Sequence, residues 1–411
     1  MQTRRVVVTG MGSVSPYGRG VETLIESLYA MKSSVVKIPK LADFGGLRTH
    51  VAAVVPDVDP KEIPRKYRRS MSKMSIYAVL ACQEALSQAD VAQERFSEGR
   101  MGISIGCTVG SPIATQEFFE DFLTYRSLER MRATTFFQIM NHSCAANVAQ
   151  AMGITGRVLA PSSACSTGCQ AVGYGFEMIA SGKQDMMLCG GTDEFHPLSP
   201  ATFDIMSAAS VRYNDVPHQT PRPFDRDRDG VVCSEGSGIL FLESLDSARK
   251  RGARIFAEIA GFATSSDISN IAEPDAEAME ACIRLALEDA GVMPDEVDYI
   301  NAHATGTIQG DIAESAAIGR VFSDHVPVSS LKGHLGHTMA ACGGLETIAS
   351  IAMLKKGSLI PTMNLENIDP LCGNIRHIRQ VETAEIKTVL KNNFALGGIN
   401  TCIVIRGYSH D

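Results

Sequence analysis

Cys165 stands in Pro161-Ser-Ser-Ala-Cys-Ser-Thr-Gly-Cys-Gln170, a run of small residues between an extended stretch and a helix-forming one. The thiolate, not the thiol, is the nucleophile, and a helix N-terminus favours it by aiming free N–H groups and a positive dipole end at the sulfur. Upstream, Arg157-Val-Leu-Ala160 reads as a strand; downstream, Ala171, Val172, Phe176, Met178 and Ile179 mark a mostly apolar helix. The expectation is a readily ionised nucleophile on a strand–turn–helix elbow. The competing reading is a small core residue, since this is one of 11 cysteines and buried thiols are common. A nucleophile needs a base or electrostatic partners from elsewhere in the chain.

Three other segments offer them. Asn301-Ala-His-Ala-Thr-Gly-Thr307 puts a histidine between a strand end and a turn of small residues. Ser329-Ser-Leu-Lys-Gly-His-Leu-Gly-His-Thr338 sets Lys332 and His337 at a helix entry. Lys391-Asn-Asn-Phe-Ala-Leu-Gly-Gly-Ile-Asn400 is a glycine-rich turn after a strand. Loops that follow strands are where α/β sheets present their chemistry. His334 and His337 have the spacing of a metal pair, but no Glu-x-x-His or paired cysteine accompanies them, so no metal is expected.

The elements that must carry these loops alternate along the chain. Arg5–Gly12 reads as a strand ending at glycines and Ser75–Asp90 as a helix; Met101–Gly106 and Met186–Gly191 read as buried strands. A similar order restarts with a strand over Ala253–Phe262, a helix over Ala276–Gly291 and a strand over Val297–Asn301. Leu159-Ala-Pro-Ser-Ser-Ala-Cys165 is echoed by Val326-Pro-Val-Ser-Ser-Leu-Lys332, which suggests duplicated halves, 1–250 and 251–411. The composition fits such an α/β protein: 411 residues, 45% hydrophobic, 20% charged, 36 glycines. A net charge of −8 argues against nucleic acid as a partner. The odd cysteine count and the absence of a signal-peptide-like h-region after Met1 point to a reducing cytoplasm. Thr338–Leu354 carries Glu346 and reads as a buried helix, so no membrane span is expected.

With these segments together, the whole chain resembles the β-ketoacyl-[acyl carrier protein] synthases of the thiolase-like superfamily. The resemblance rests on Ser163-Ala-Cys165, Asn301-Ala-His303 with Thr305-Gly306-Thr307, Lys332 with Gly336-His337, and Asn393-Phe394 with Gly397-Gly398. Arg222-Pro-Phe-Asp225, Arg228-Asp-Gly230 and Gly310-Asp311 with Glu314 add to it. It implies two α/β halves packed as αβαβα layers, with the nucleophile in the first half and both histidines and Lys332 in the second.

It also implies roles. Cys165 would take an acyl group from a carrier protein's phosphopantetheine arm, with no cofactor of the enzyme's own. His303 and His337 would hold the malonyl carbonyl while CO₂ leaves, and backbone N–H groups of Cys165 and Phe394 would meet the later oxyanion. Lys332 would pair with Glu314, Asp311 would support the site, and Thr305, Thr307, Phe394, Leu396 and Val109 would line the substrate pocket. The product would be a 3-oxoacyl chain on the carrier, in fatty-acid synthesis, made by a homodimer.

The chain departs from the family pattern at Ala304 after the first histidine and in Ala340-Ala-Cys-Gly343 after the second, and at three positions that bear on the pocket. Leu396 replaces a gating phenylalanine, Ala395 replaces a glycine beside the oxyanion donor, and Val109 stands where a branched side chain would shorten the pocket. A ketosynthase of a polyketide or aryl polyene pathway would fit them with the same chemistry. A thiolase, which uses a second cysteine where His337 stands, fits less well. So does a non-catalytic chain-length subunit, which lacks the nucleophile. Finally, Arg65, Lys66, Arg68, Arg69 and Lys73 place five basic residues in ten positions of an acidic chain, where an acidic carrier protein would dock.

Overall fold

The computed structural model describes residues 3–268, 270–271 and 273–408. Ten strands carry the architecture. The first five are β1 (Val6–Ser15), β2 (Met101–Gly106), β3 (Val158–Leu159), β4 (Met186–Asp193) and β5 (Gly236–Ser244). The second five are β6 (Ala257–Ser266), β7 (Tyr299–Asn301), β8 (Pro327–Ser329), β9 (Thr388–Ala395) and β10 (Ile399–Arg406). In space the first set runs β3-β2-β4-β5-β1 and the second β8-β7-β9-β10-β6, the same order twice. The pairings repeat too. β2 is parallel to β3 and β4 as β7 is to β8 and β9, and β5 is antiparallel to β4 and β1 as β10 is to β9 and β6. The halves join where Val6, Val7 and Val8 of β1 pair with Ile259, Glu258 and Ala257 of β6.

Six helices complete the layers: α1 (Lys73–Ala89), α2 (Ser143–Met152), α3 (Thr167–Ala180), α4 (Ala276–Ala290), α5 (Ile308–Phe322) and α6 (Cys342–Lys356). α3 and α6 pack on each other and reach strands of both halves, which makes them the middle layer. α1 covers β1 and β5 on one outer face, and α4 covers β6 and β10 on the other. Strands covered on both faces read as near-continuous apolar runs, and every residue of β1, β2, β4 and β5 is buried.

β1 does not end at its glycines. It runs on to Ser15 because Gly10 and Gly12 admit α1; a Cβ on Gly12 would stand 1.9 Å from the Ala81 carbonyl oxygen. The internal echo is structural. Cys165 follows β3 and Lys332 follows β8, the equivalent strands of the two halves.

The middle layer is what brings the chemistry together, and it closes on two glycines. A Cβ on Gly343 would lie 2.0 Å from the Cys169 nitrogen, and one on Gly168 2.2 Å from the Ala340 oxygen. Gly→Ala inside a helix ordinarily stabilises by up to about 1 kcal/mol. Gly343→Ala is expected to do the reverse and to cost about 1–3 kcal/mol in a thermal or denaturant melt, because backbone on both sides must move.

Candidate active site

The turn that holds Cys165 is strained. Ala164 has φ of 48°, a region costly for a residue with a Cβ, and this turns the sulfur out of the start of α3. The surroundings hold the strain in place. Ser163 N–H donates to Thr167 Oγ1 (2.8 Å), and Ser166 Oγ donates to the carbonyls of Asn393 (3.0 Å) and Ile399 (2.8 Å). The nucleophile turn is thus tied to the β9–β10 hairpin of the other half.

Each histidine is fixed through its backbone. The Glu314 carboxylate accepts from the N–H groups of His303 (2.8 Å) and Ala304 (2.6 Å), which shapes the loop after β7. His337 donates its N–H to the Val232 carbonyl (2.7 Å), and its own carbonyl accepts from Ser234 N–H (2.9 Å). The side chains then meet. His337 Nε2 lies 2.9 Å from Cys165 Sγ. The two imidazoles stand 5.3 Å apart at 83°, and the three donor atoms fall within 4.8 Å of one another. They open on a cavity of about 710 Å³ whose lining includes Thr305, Thr307, Phe394 and Leu396. The thiol therefore has a route to solvent.

The electrostatics correct two expectations. Cys165 is not held ionised: burial raises its pKa to about 11, against the lowering effects of Lys332 and of the backbone N–H groups of Leu396 and Cys165. Burial outweighs the helix N-terminus, so the resting group is a thiol. Lys332 does not pair with Glu314 but with Glu346, at 2.6 Å; Lys391 takes the other oxygen of Glu346 at 2.7 Å, and all three are buried. Burial alone would lower the Lys332 pKa, but Glu346, Cys342 and Glu314 raise it, so it stays charged. Burial first, and then Lys332 and Lys391, hold His303 and His337 far below the ordinary histidine range. Both imidazoles are neutral. A Cys–His–His set of this span has the donors for a metal, but two ammonium groups this close oppose a cation. His334 takes no part in it and bonds the Pro361 carbonyl at 2.9 Å.

Comparison with known proteins agrees with this geometry. Residues 3–248 match the family described as "Beta-ketoacyl synthase, N-terminal domain", and residues 256–366 its C-terminal counterpart. The chain belongs to the beta-ketoacyl synthase family. A 3-oxoacyl-[acyl-carrier-protein] synthase 1 of Haemophilus influenzae is 33% identical, over 99% of this chain and 100% of that one. A beta-ketoacyl synthase crystal structure from Burkholderia phymatum STM815 superposes with a TM-score of 0.96 at 42% identity, covering 99% of this chain and 100% of that one. A type II polyketide acyl carrier protein in complex with its ketosynthase bound to the hexaketide gives 0.91 at 32%, over 99% and 100% of the two chains. The protein is thus an acyltransferase of the condensing class, with the thiolase-like fold.

Other expected site residues fall in different places. Asp311 is buried and accepts from the N–H groups of Phe224 (2.8 Å) and Gly306 (3.1 Å), with Arg228 at 3.6 Å. Val109 is 57% exposed on the turn after β2 and outside the lining of this cavity. The amide aimed at the sulfur belongs to Leu396 rather than Phe394, which lies within the β9 ladder opposite Asn400. Arg65, Lys66 and Arg69 are exposed and Arg68 half-buried, with no ion pair among the described residues. Lys73 is different, since its ammonium is held by the buried Glu235 at 2.9 Å.

The sequence alone points to no role in the site for Glu346, Lys391 or Asn393. Their signal was a charged or amide group inside an element buried along its length, which has to find a partner.

A raised thiol pKa has a kinetic signature. A group lifted toward about 11 gains thiolate continuously as pH rises, so iodoacetamide inactivation through Cys165 is expected to accelerate across the alkaline range. A rate that levels off below about pH 7, as for a thiolate stabilised at a helix N-terminus, would contradict a neutral resting thiol.

Proposed function

We propose that the protein carries out a decarboxylative Claisen condensation in fatty-acid synthesis. It moves an acyl group from an acyl carrier protein onto Cys165, then joins it to malonyl carrier protein to give a 3-oxoacyl carrier protein, CO₂ and free carrier. One observation carries this reading: a thiol 2.9 Å from one imidazole, with a second imidazole across the same water-accessible cavity.

In the first half-reaction Cys165 Sγ attacks the thioester carbonyl. His337 Nε2, within hydrogen-bond reach, takes the thiol proton and passes it to the departing carrier thiol. The backbone N–H groups of Cys165 and Leu396, which already face the sulfur, receive the oxygen of the tetrahedral intermediate. In the second half-reaction the malonyl carbonyl oxygen enters between His303 and His337. The C–C bond to the carboxylate breaks, CO₂ leaves, and neutral imidazole N–H donors stabilise the enolate oxygen. The enolate carbon then attacks the acyl-Cys165 carbonyl, and the thiolate leaves. Neutral donors suit this step, since donors aimed at a developing charge stabilise it more than the ground state. Thr305 and Thr307, whose hydroxyls lie 3.1 Å apart on the cavity wall, would meet the amides of the pantetheine arm. Lys332 acts through the field it sets up with Glu346.

The carrier is read from charge. The carrier–ketosynthase complex similar to this chain supports a protein-borne substrate, and Arg65, Lys66, Arg68 and Arg69 offer it a cationic face without ion-pair partners among the described residues. A homodimer is supported by apolar surface left in water at Phe119, Phe122, Leu123, Leu128 and Phe136, and by Val158 on the outermost strand of the sheet. The cytoplasm is supported by eleven free, buried cysteines, and no helix among the described residues is long and apolar enough to cross a membrane.

Mass spectrometry after incubation with acyl carrier proteins of graded length is expected to show acylation at Cys165, and malonyl carrier protein to discharge it as a 3-oxoacyl carrier with release of CO₂. The variant Arg65→Glu/Arg68→Glu/Arg69→Glu is expected to lose at least about tenfold in kcat/KM with carrier-bound substrate while keeping turnover of short thioester mimics. Equal losses with both substrates would remove the docking role.

A further inference from the structure

Asn393, at the end of β9, is fully buried between the two halves of the site. Its Nδ2 faces three groups: the Cys165 carbonyl oxygen at 3.3 Å, His303 Nδ1 at 3.3 Å and Cys342 Sγ at 3.1 Å. Cys342 Sγ in turn donates to the same Cys165 carbonyl at 3.4 Å.

The amide orientation follows from one of these contacts. A backbone carbonyl only accepts, so the Asn393 atom facing the Cys165 oxygen has to be the NH₂ nitrogen. That nitrogen also faces His303 Nδ1, and a donor there requires an unprotonated Nδ1. A neutral ring then carries its single proton on Nε2. His337 has no such constraint, because its Nδ1 meets no partner among the described residues. It can therefore accept the thiol proton in one step and donate in another. His303 cannot alternate in this way.

We propose that Asn393 is a positioning residue that fixes His303 as a permanent Nε2–H donor and couples that assignment to the backbone of the nucleophile. This rests on the condensing-enzyme reading and deepens it, because it separates the imidazoles by task. His337 serves acyl transfer at the sulfur as well as decarboxylation, while His303 serves the enolate oxygen alone. Decarboxylation therefore depends on Asn393 much more than acylation of Cys165 does.

Asn393→Asp tests this with almost no change of shape. A carboxylate only accepts, so it demands a proton on His303 Nδ1, and a ring that stays neutral then has none on Nε2. The full chain is assayed for two partial reactions: acylation of Cys165 by acyl carrier protein, and CO₂ release from malonyl carrier protein. Decarboxylation is expected to fall by about 10²-fold or more, the effect of losing one oxyanion donor, and at least ten times further than acylation. Asn393→Ala, which leaves His303 free to adopt either tautomer, is expected to fall between wild type and Asn393→Asp in decarboxylation. The wild-type ring is read directly by nitrogen NMR of ¹⁵N-histidine-labelled protein, with His303→Gln to assign its signals; a protonated Nε2 and bare Nδ1 are expected. The NMR result decides the matter even where Asn393→Asp does not fold. A proton on His303 Nδ1, or equal losses in both partial reactions in a variant with an unchanged melting temperature, would overturn the proposal. Absence of both partial reactions in the wild type would instead refute the condensing-enzyme reading and leave the NMR assignment standing.

Discussion

Two buried ammonium groups share one buried carboxylate, and the site depends on that arrangement. Lys332 and Lys391 each hold an oxygen of Glu346, with no exposure to water. Burying charges is expensive, and removing one partner of such a cluster typically costs 3–5 kcal/mol. The cluster adds little to stability for that cost, but it sets a positive field beside two imidazoles. Protonating either ring would add another positive charge beside the two ammonium groups. At rest His303 and His337 are therefore neutral and can donate hydrogen bonds to an enolate oxygen. Burial likewise keeps Cys165 a thiol until a substrate arrives and His337 accepts its proton.

The fold makes this possible by repetition. Two copies of one strand order are joined at β1 and β6, and each sends a central helix inward from the loop after its third strand. One loop supplies the nucleophile; the equivalent loop supplies Lys332 and then His337. Gly168 and Gly343 let the two helix starts approach backbone to backbone. The β9–β10 hairpin closes the arrangement through Ser166, Asn393 and the Leu396 amide, so no single element holds the site alone.

Much of this was legible in the chain. Met101–Gly106 was a strand with the bounds the structure has, and the Ser-Ser echo marked equivalent positions in two halves. The nucleophile and both histidines were legible because small residues and strand ends flank them. Glu346 was seen only as the charge that spoiled a membrane span, although a lone carboxylate in a helix buried all round needs a cation. Lys391 posed the same question inside β9. The ionisation of Cys165 was misjudged for a different reason: a helix N-terminus can be read from sequence, whereas the burial that opposes it depends on what packs above.

The charge state of the imidazoles is the central claim, and decarboxylation reads it without interference from the thiol. The measurement is CO₂ release from malonyl carrier protein by Cys165→Ala as a function of pH. Because burial and the two lysines lower both histidine pKa values well below 6.5, the neutral donors persist as pH falls, and the rate is expected to stay level through that region. A rate that drops with an apparent pKa near 6.5, as for an ordinary histidine, would contradict the account.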